Sequence, residues 1–563
     1  MIQGYFTFVL HSHIPWVLGH GRWPHGTDWL NEATAECYIP ILEQLYKLVN
    51  KGCNPQLTIG FTPILQEQLQ SRHFAKEFEY YLTHKIEAAR KDMREFSRTG
   101  DKDFMQVAQM WLAHYTRMKL LFHKKFQKKL ITAFKNLQDK NRIEIITSAA
   151  THGYLPLLKH DRSVSAQIEL GVRVYEKNFR QPPRGIWLPE CAYRPPYRWK
   201  APVGHDHTTM YRKGIDEFLS KNHLAYFIID AHLLRGGKAI GVYLARFKAL
   251  KNLWQQYRKE MVRSKKNYRK QPQEVYLVAS NPSVQPVALL TRDPKTALQV
   301  WSGEVGYPGD AYYLDFHKKR FPSGLRYWRV TNPKIDLALK KAYEPTHVEE
   351  KIKEHARHFV SIVKEIARAY YEKHKTCAYI CTPFDTELFG HWWFEGPRWL
   401  SYVLQYIDKE EDIALATGST MVEHAEPDRI ITLPEGSWGE GGYHYIWLNK
   451  WTEWTWRRVY EAEDTYYPLY DQYRHSRSNT KIAALQQLSR ELLLLQASDW
   501  QFLISTWSAR DYAEHRFSKH YENFKILASI IKKRRIAWKD RLFLADLEEQ
   551  DSCFSDMPLS LFK

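Results

Sequence analysis

Short apolar runs recur through the first three-quarters of the chain: Tyr5 to Leu10, Leu57 to Phe61, Ile143 to Thr147, Gly185 to Leu188, Ala225 to Ile229, Val275 to Val278 and Ala378 to Thr382. Several are apolar at nearly every residue rather than at alternate ones, the pattern of parallel strands covered on both faces. Helical stretches lie between them. The repeated βα order predicts an α/β protein built on a parallel barrel or a doubly wound sheet. From about 64 to 142 the chain has no proline and reads as long helices broken at Thr99-Gly100, so a helical insertion leaves the barrel and returns at Ile143. After about residue 420 the strand signal fades. Ile482, Leu485, Leu488, Leu492 and Leu495 recur at helical spacing and predict a helix with one buried stripe. The expected division is a catalytic barrel over 1–420 and a helical C-terminal domain over 421–563.

Polar, chemically capable residues cluster where the predicted strands end. His11 and His13 follow the first strand, His152 the third, Glu190 the fourth, Asp230 and His232 the fifth, and Asp385 and Glu387 the last. In parallel barrels that rim is where the active site is built. Two acids arrive there by the same device. In Trp187-Leu188-Pro189-Glu190 and in Thr382-Pro383-Phe384-Asp385 a proline at the strand end fixes the backbone and leads to a carboxylate. Taken singly, each acid has a structural explanation in a nearby partner, Arg194 or His391. Taken together, they form the pair that glycoside hydrolysis requires: a retaining mechanism uses one as nucleophile and the other as acid, then base.

His11-Ser12-His13 permits two readings, because alternate residues of an extended segment point the same way. Both imidazoles could hold a sugar, or both could bind zinc with Asp230, His232 or Asp385 as third ligand. The segment from Pro434 to Asn449, with four glycines among aromatics, predicts a loop that lies close to a ligand and presents Trp438 and Trp447 to it. Its structural alternative is a packed interdomain loop with both tryptophans inside.

Composition bounds this reading. Twenty Trp and 35 Tyr suggest either flat, wet surfaces of the kind sugar rings stack on or an aromatic-rich core with no sugar at all, and composition alone does not choose between them. The net charge of +19 gathers in Arg117 to Lys129, Arg246 to Lys270 and Lys532 to Arg541, none with the interleaving of a nucleic-acid module. The six cysteines show no CxxC spacing, which argues against a disulfide framework or a structural zinc site. No apolar run reaches the length of a membrane span, and the N-terminus runs directly into a strand. A soluble, cytoplasmic protein with neither nucleic acid nor membrane as partner is the expectation. The sequence carries no signature of a particular oligomeric state.

Five segments then make a specific pattern: His11-Ser12-His13-Ile14-Pro15, Gly153-Tyr154-Leu155-Pro156-Leu157, Trp187 to Tyr193, Phe384 to Trp393, and the glycine–tryptophan loop at 434–449. In this order they resemble glycoside hydrolase family 57 over almost the whole chain, and within it the 1,4-α-glucan branching enzymes. The resemblance implies a distorted (β/α)7 barrel with an inserted helical subdomain and a C-terminal all-helical domain, without metal or other cofactor. It implies a retaining mechanism with Glu190 as nucleophile and Asp385 as general acid/base. His11 and His13 would hold the sugar at the cleavage point. Trp23, Trp29, Trp301, Trp438 and Trp447 would line the groove for an α-1,4-glucan, with His152, Trp393, Asp499 and Trp500 as further substrate-binding residues. One departure concerns the mobile loop, containing glycine and a tyrosine, that precedes the family's arginine–aspartate pair, here Arg292-Asp293. The stretch matched to it, Ala279 to Pro286, has neither residue. Because that loop is thought to keep water from the intermediate, hydrolysis and 4-α-glucan transfer stand beside branching as expected outcomes. A metal-dependent polysaccharide deacetylase and a non-catalytic glucan-binding protein are the rivals from other classes.

Overall fold

A computed structural model of the protein describes residues 1–204, 208–235, 270–302, 306–332 and 334–563. The basic stretch at 246–270 and its charged loop at 263–269 lie outside these residues, apart from Lys270. Twelve strands occur among the described residues: β1 (Gly4–Ser12), β2 (Leu57–Phe61), β3 (Ile143–Ser148), β4 (Gly185–Trp187), β5 (Tyr197–Lys200), β6 (Thr209–Arg212), β7 (Tyr226–Ile229), β8 (Tyr276–Val278), β9 (Val287–Thr291), β10 (Ala378–Asp385), β11 (Ile413–Leu415) and β12 (Ile430–Ile431). Ten of them form one curled sheet, whose parallel ring of seven runs in the order β10-β1-β2-β3-β4-β7-β9, with β11 also pairing β1. The curl brings the chain just after β9 against β10, where Arg292 bridges Cys381 and the Asp293 N–H donates to the Cys381 carbonyl at 2.8 Å. The result is the distorted (β/α)7 barrel of the sequence reading. Leu57–Phe61 is buried at all five positions and β1 at eight of nine, as strands covered on both faces must be.

One strand was misassigned. Val275–Val278 does not enter the parallel ring: β8 pairs antiparallel with β9 and, on its other side, parallel with the short β12. The barrel strand is instead β9, whose residues are all buried. This also relocates Ala279 to Pro286. That stretch joins β8 to the start of β9, while Arg292 follows the end of β9, and Ser280 and Asn281 are tied to Asp216 and Glu217. It therefore belongs to the opposite end of the strand from Arg292 and cannot be a guard loop. Tyr276 is fully buried, with its hydroxyl bonded to Glu274 and to the Gln271 N–H.

Between β2 and β3 the chain runs through four helices, Pro63–Gln70, Arg72–Thr99, Lys102–Leu120 and Leu130–Gln138. The two long ones reverse at Gly100, which is left-handed at φ 76°, and Asp101 caps the second by accepting from the Phe104 N–H at 3.0 Å. After residue 450 come helices Glu453–Tyr473, Asn479–Leu495, Asp499–Thr506, Arg510–Lys532 and Trp538–Gln550. In Asn479–Leu495 the anticipated stripe is buried apart from the half-buried Ile482, but Leu493 and Leu494 are buried as well, so its last turns are covered all round. Among the described residues no helix is long and apolar enough to cross a membrane. All six cysteines are free thiols.

Much of the aromatic surplus went inside. Trp111, Trp187, Trp393, Trp399, Trp447, Trp456 and Trp500 are fully buried, most of them with rings of neighbouring elements against them. For these seven the aromatic-core alternative is the one that holds.

Candidate active site

Register places the first two groups. β1 and β10 lie side by side with Leu10 opposite Phe384 and His11 opposite Asp385, so both side chains emerge together at the rim. Asp385 then leads into the turn Thr386–Leu388 and to Gly390, whose φ of 120° brings it so close to the Glu36 carbonyl that a Cβ would sit 1.7 Å away. Only glycine fits there.

Glu190 leaves β4 after Pro189 with φ 61° and ψ 24°, and Cys191 follows at φ 48°. Two consecutive left-handed residues with side chains cost about 1–2 kcal/mol each and persist only where the surroundings hold them. Here the 434–449 loop does so. Tyr193 and Gly436 exchange backbone hydrogen bonds of 2.9 and 3.0 Å, and the Trp438 N–H donates to the Glu190 carbonyl at 3.0 Å. Gly439 permits the loop's close fold, since a Cβ there would lie 2.5 Å from the Trp447 ring.

The Glu190 carboxylate accepts from Trp438 Nε1 at 2.9 Å and from Ser498 Oγ at 3.0 Å. Burial pushes it up to about 7, while the bonds from Trp438 and Ser498 and the nearby His13 pull the other way. Asp385 accepts no hydrogen bond among the described residues. Burial, then the charges of Glu387 and Glu190, hold it well above the usual carboxylate range, against the pull of Arg292. Asp385 thus feels the charge of Glu190, which itself feels that of Asp499. Glu387 is also raised to about 7 by burial; it accepts from the His13 N–H at 3.1 Å and from the Tyr38 hydroxyl.

Three histidines complete the wall. His11 Nε2 meets His152 Nε2 at 2.9 Å, and the His11 ring stacks on Trp187 at 4.7 Å. His152 Nδ1 lies 2.9 Å from Ser498 Oγ, and its ring stacks on His13 at 4.1 Å. If Ser498 donates to Glu190, it must accept from His152 Nδ1–H. His152 Nε2 is then an acceptor, and His11 donates Nε2–H to it. His11 and His152 are both neutral, their pKa values held well down by burial and then by His13. His13 differs. Burial opposes its cation, yet Asp499, bonded to Nε2 at 2.9 Å, together with the charges of Glu387 and Glu190, raises the pKa. Its Nδ1 lies 3.0 Å from Thr62 Oγ1.

These groups open on a cavity of about 220 Å³. Of the catalytic and substrate-binding residues implied by the resemblance, His11, His13, Trp29, His152, Glu190, Trp301, Asp385, Trp438, Trp447 and Asp499 line it. Three do not. Trp23 stands 83% exposed on the loop ahead of helix Thr27–Ala33, outside the lining. Trp393 packs at 5.2 Å against Trp399 in the core, and its neighbour Trp392 faces the cavity instead. Trp500 is buried with Nε1 donating to the Leu494 carbonyl at 2.8 Å, leaving no face for a sugar. Ser498, Arg292, Glu387 and Phe502 had no role assigned from sequence.

The zinc set considered from sequence is not what the fold gathers. Asp230 is ion-paired to Arg292 and bonded by His232, and its pKa is lowered by those charges against burial. The donors that do converge, within 4.8 Å, are His13, His152 and Asp499.

Residues 7–434 match the glycosyl hydrolase family 57. The chain belongs to this family. Residues 458–562 match the C-terminal domain of 1,4-alpha-glucan branching enzymes. A 1,4-alpha-glucan branching enzyme of Thermococcus kodakarensis is 40% identical over 98% of this chain and 78% of its own length. The crystal structure of a branching enzyme of this family from Pyrococcus horikoshii superposes with a TM-score of 0.88 at 38% identity, covering 100% of this chain and 97% of that one. The alpha-amylase AmyC of Thermotoga maritima gives 0.80 at 28% identity, with 99% of both chains covered. Family membership therefore comes with a branching-enzyme C-terminal region, and that region supplies Ser498, Asp499 and Phe502 to the family 57 site.

Proposed function

We propose that the protein is an α-1,4-glucan branching enzyme: it cleaves an α-1,4-glucosidic bond and rejoins the freed chain through an α-1,6 bond. The observation that carries this reading is the pair of unlike carboxyl groups in one cavity, joined to a C-terminal region of the branching-enzyme type. Glu190, bonded by Trp438 and Ser498, is the carboxylate kept ready as nucleophile. It attacks the anomeric carbon while Asp385, the buried acid facing Glu387, gives its proton to the departing glycosidic oxygen. The leaving chain exits with a free 4-hydroxyl, and the other chain is held as an ester on Glu190. Asp385, now ionised, takes the proton from the 6-hydroxyl of an acceptor glucan, whose oxygen displaces Glu190. Two displacements retain the α configuration. His11, His13 and His152 hold the sugar at the cleavage point, and Trp29, Trp301 and Trp438 offer the apolar walls along which a glucan lies.

Hydrolysis is the second reading, because the fold is shared with an alpha-amylase; it differs only in using water as the acceptor. The two are separated by incubating the protein with amylose and following α-1,6 linkages by proton NMR alongside reducing ends. Branching gives new α-1,6 signal with few new reducing ends. Reducing ends without branches overturn it in favour of hydrolysis. An active protein that loses all turnover to a chelator and regains it with zinc would instead assign His13, His152 and Asp499 to a metal. A part in glycogen synthesis, in the cytoplasm, belongs to this proposal.

A further inference from the structure

Helix Asp499–Thr506 presents Phe502 and Leu503 to the cavity and ends at Trp507, outside the lining. The glycine–tryptophan loop behaves likewise, presenting Ile446 and Trp447 to the cavity before reaching Trp451. The two outer tryptophans meet: their rings are 5.7 Å apart and inclined at 70°. Trp507 nonetheless stays 51% exposed, with the Arg510 guanidinium 5.0 Å from its ring centre. Five residues of helix between Phe502 and Trp507 correspond to roughly 7.5 Å, so the pair continues the cavity wall outward.

The pair is also built to stay in place. Asn449, fully buried, donates Nδ2 to Ser505 Oγ at 2.8 Å and accepts the Trp451 N–H through Oδ1 at 2.9 Å. One side chain therefore fixes both the loop that carries Trp451 and the helix that carries Trp507. Trp507 itself closes that helix in the left-handed region, at φ 57° and ψ 16°. Helix ends of this kind favour glycine, then asparagine, because a Cβ is strained there. A bulky residue that is strained, half solvated and tied to a second tryptophan is unfavourable for folding, and such sites accompany function. Two inclined rings, one with a guanidinium over a face and half exposed to water, suit the alternating apolar faces and hydroxyl edges of a sugar chain.

We propose that Trp451 and Trp507 form an outer platform on which a long α-1,4-glucan chain rests as it runs out of the cavity. The platform rests on the glucan reading of the cavity and adds to it a preference for long chains. It acts at a distance from the reacting bond, so it governs the capture of long chains and leaves the chemical step to the inner site.

The test compares the wild-type protein with Trp451→Ala, Trp507→Gly and the double variant, by mobility in amylose-containing native gels and by the ratio of KM for long amylose to KM for a short maltooligosaccharide. Glycine suits the left-handed position, so Trp507→Gly keeps the fold, checked by its melting temperature. The expected result is a loss of retardation and a roughly tenfold rise in the KM ratio for the double variant, equivalent to about 1.4 kcal/mol of lost binding. Unchanged retardation and an unchanged ratio in folded variants would overturn the platform while leaving the cavity reading intact. A wild-type protein that is not retarded by amylose would instead remove the glucan reading, and the platform with it. A change in oligomeric state on light scattering, without a change in retardation, would assign the pair to contact with a second copy and likewise overturn it.

Discussion

The two acid-bearing strand exits look alike in sequence and differ in their surroundings. Pro189-Glu190 and Pro383-Phe384-Asp385 both end buried strands, and both acids face one cavity. Glu190 is enclosed by donors, from Trp438 on the glycine–tryptophan loop and from Ser498 ahead of helix Asp499–Thr506. Asp385 has no such donor among the described residues and looks toward two further acids, Glu387 and Glu190. A carboxylate given hydrogen bonds favours its anion; a buried one facing negative charge favours its proton. The lesson is that role comes from the partners delivered to a strand end, since the strand end itself is the same in both cases.

The largest effects should come from erasing either member. Asp385→Asn is expected to lower kcat by about 10²–10⁴-fold, and Glu190→Gln by at least as much. Azide then separates the roles. With a small cavity at Glu190→Ala it should yield the β-glycosyl azide, whereas Asp385→Ala should yield the α product from an intact ester. Swapped products would reverse the assignment made here.

Ser498→Ala comes next. It removes a bond to an ionised group, worth about 1.5–3 kcal/mol, so kcat is expected to fall by roughly ten- to a hundredfold. The sign for pH is definite. Glu190 must be ionised to attack and is pushed up to about 7, so activity falls as pH drops through that region. Without Ser498 the anion is less favoured, and the acid limb of the rate profile moves to higher pH. Trp438→Phe should move the same limb in the same direction.

Glu387→Gln acts on the other exit and should be the mildest. Its amide oxygen can still accept from the His13 N–H and from Tyr38. The negative charge that helps raise Asp385 is gone, so Asp385 loses its proton at lower pH and the alkaline limb moves down. A shift of the acid limb instead would show that Glu387 acts on Glu190.

The placement of Glu190 and Asp385 at one cavity could be read from sequence because each is set by its own strand and its own proline. The barrel was legible for a related reason: fully apolar runs such as Leu57–Phe61 occur where both faces are covered. Direction and order are another matter. Val275–Val278 and Val287–Thr291 are equally apolar, and nothing local shows that the first runs antiparallel outside the ring. The choice between adjacent tryptophans failed in the same way, with Trp392 rather than Trp393 at the cavity, because the turn after Asp385 decides it. Ser498 was invisible for a different reason. It lies 308 residues from Glu190 in the chain, and only the packing of the C-terminal helices against β3 and β4 exits joins them, through the bonds of Ser498 to His152 and Glu190.

The assignment of Glu190 as nucleophile is tested most directly by trapping the ester. Asp385→Ala, which lacks the acid/base for turnover, would be incubated with an α-maltosyl fluoride, whose leaving group needs no proton, then denatured, digested and mapped by mass spectrometry. The account predicts a maltosyl adduct on the peptide containing Glu190. An adduct on another residue such as Glu387, or rapid turnover to the inverted product with no adduct, would contradict it.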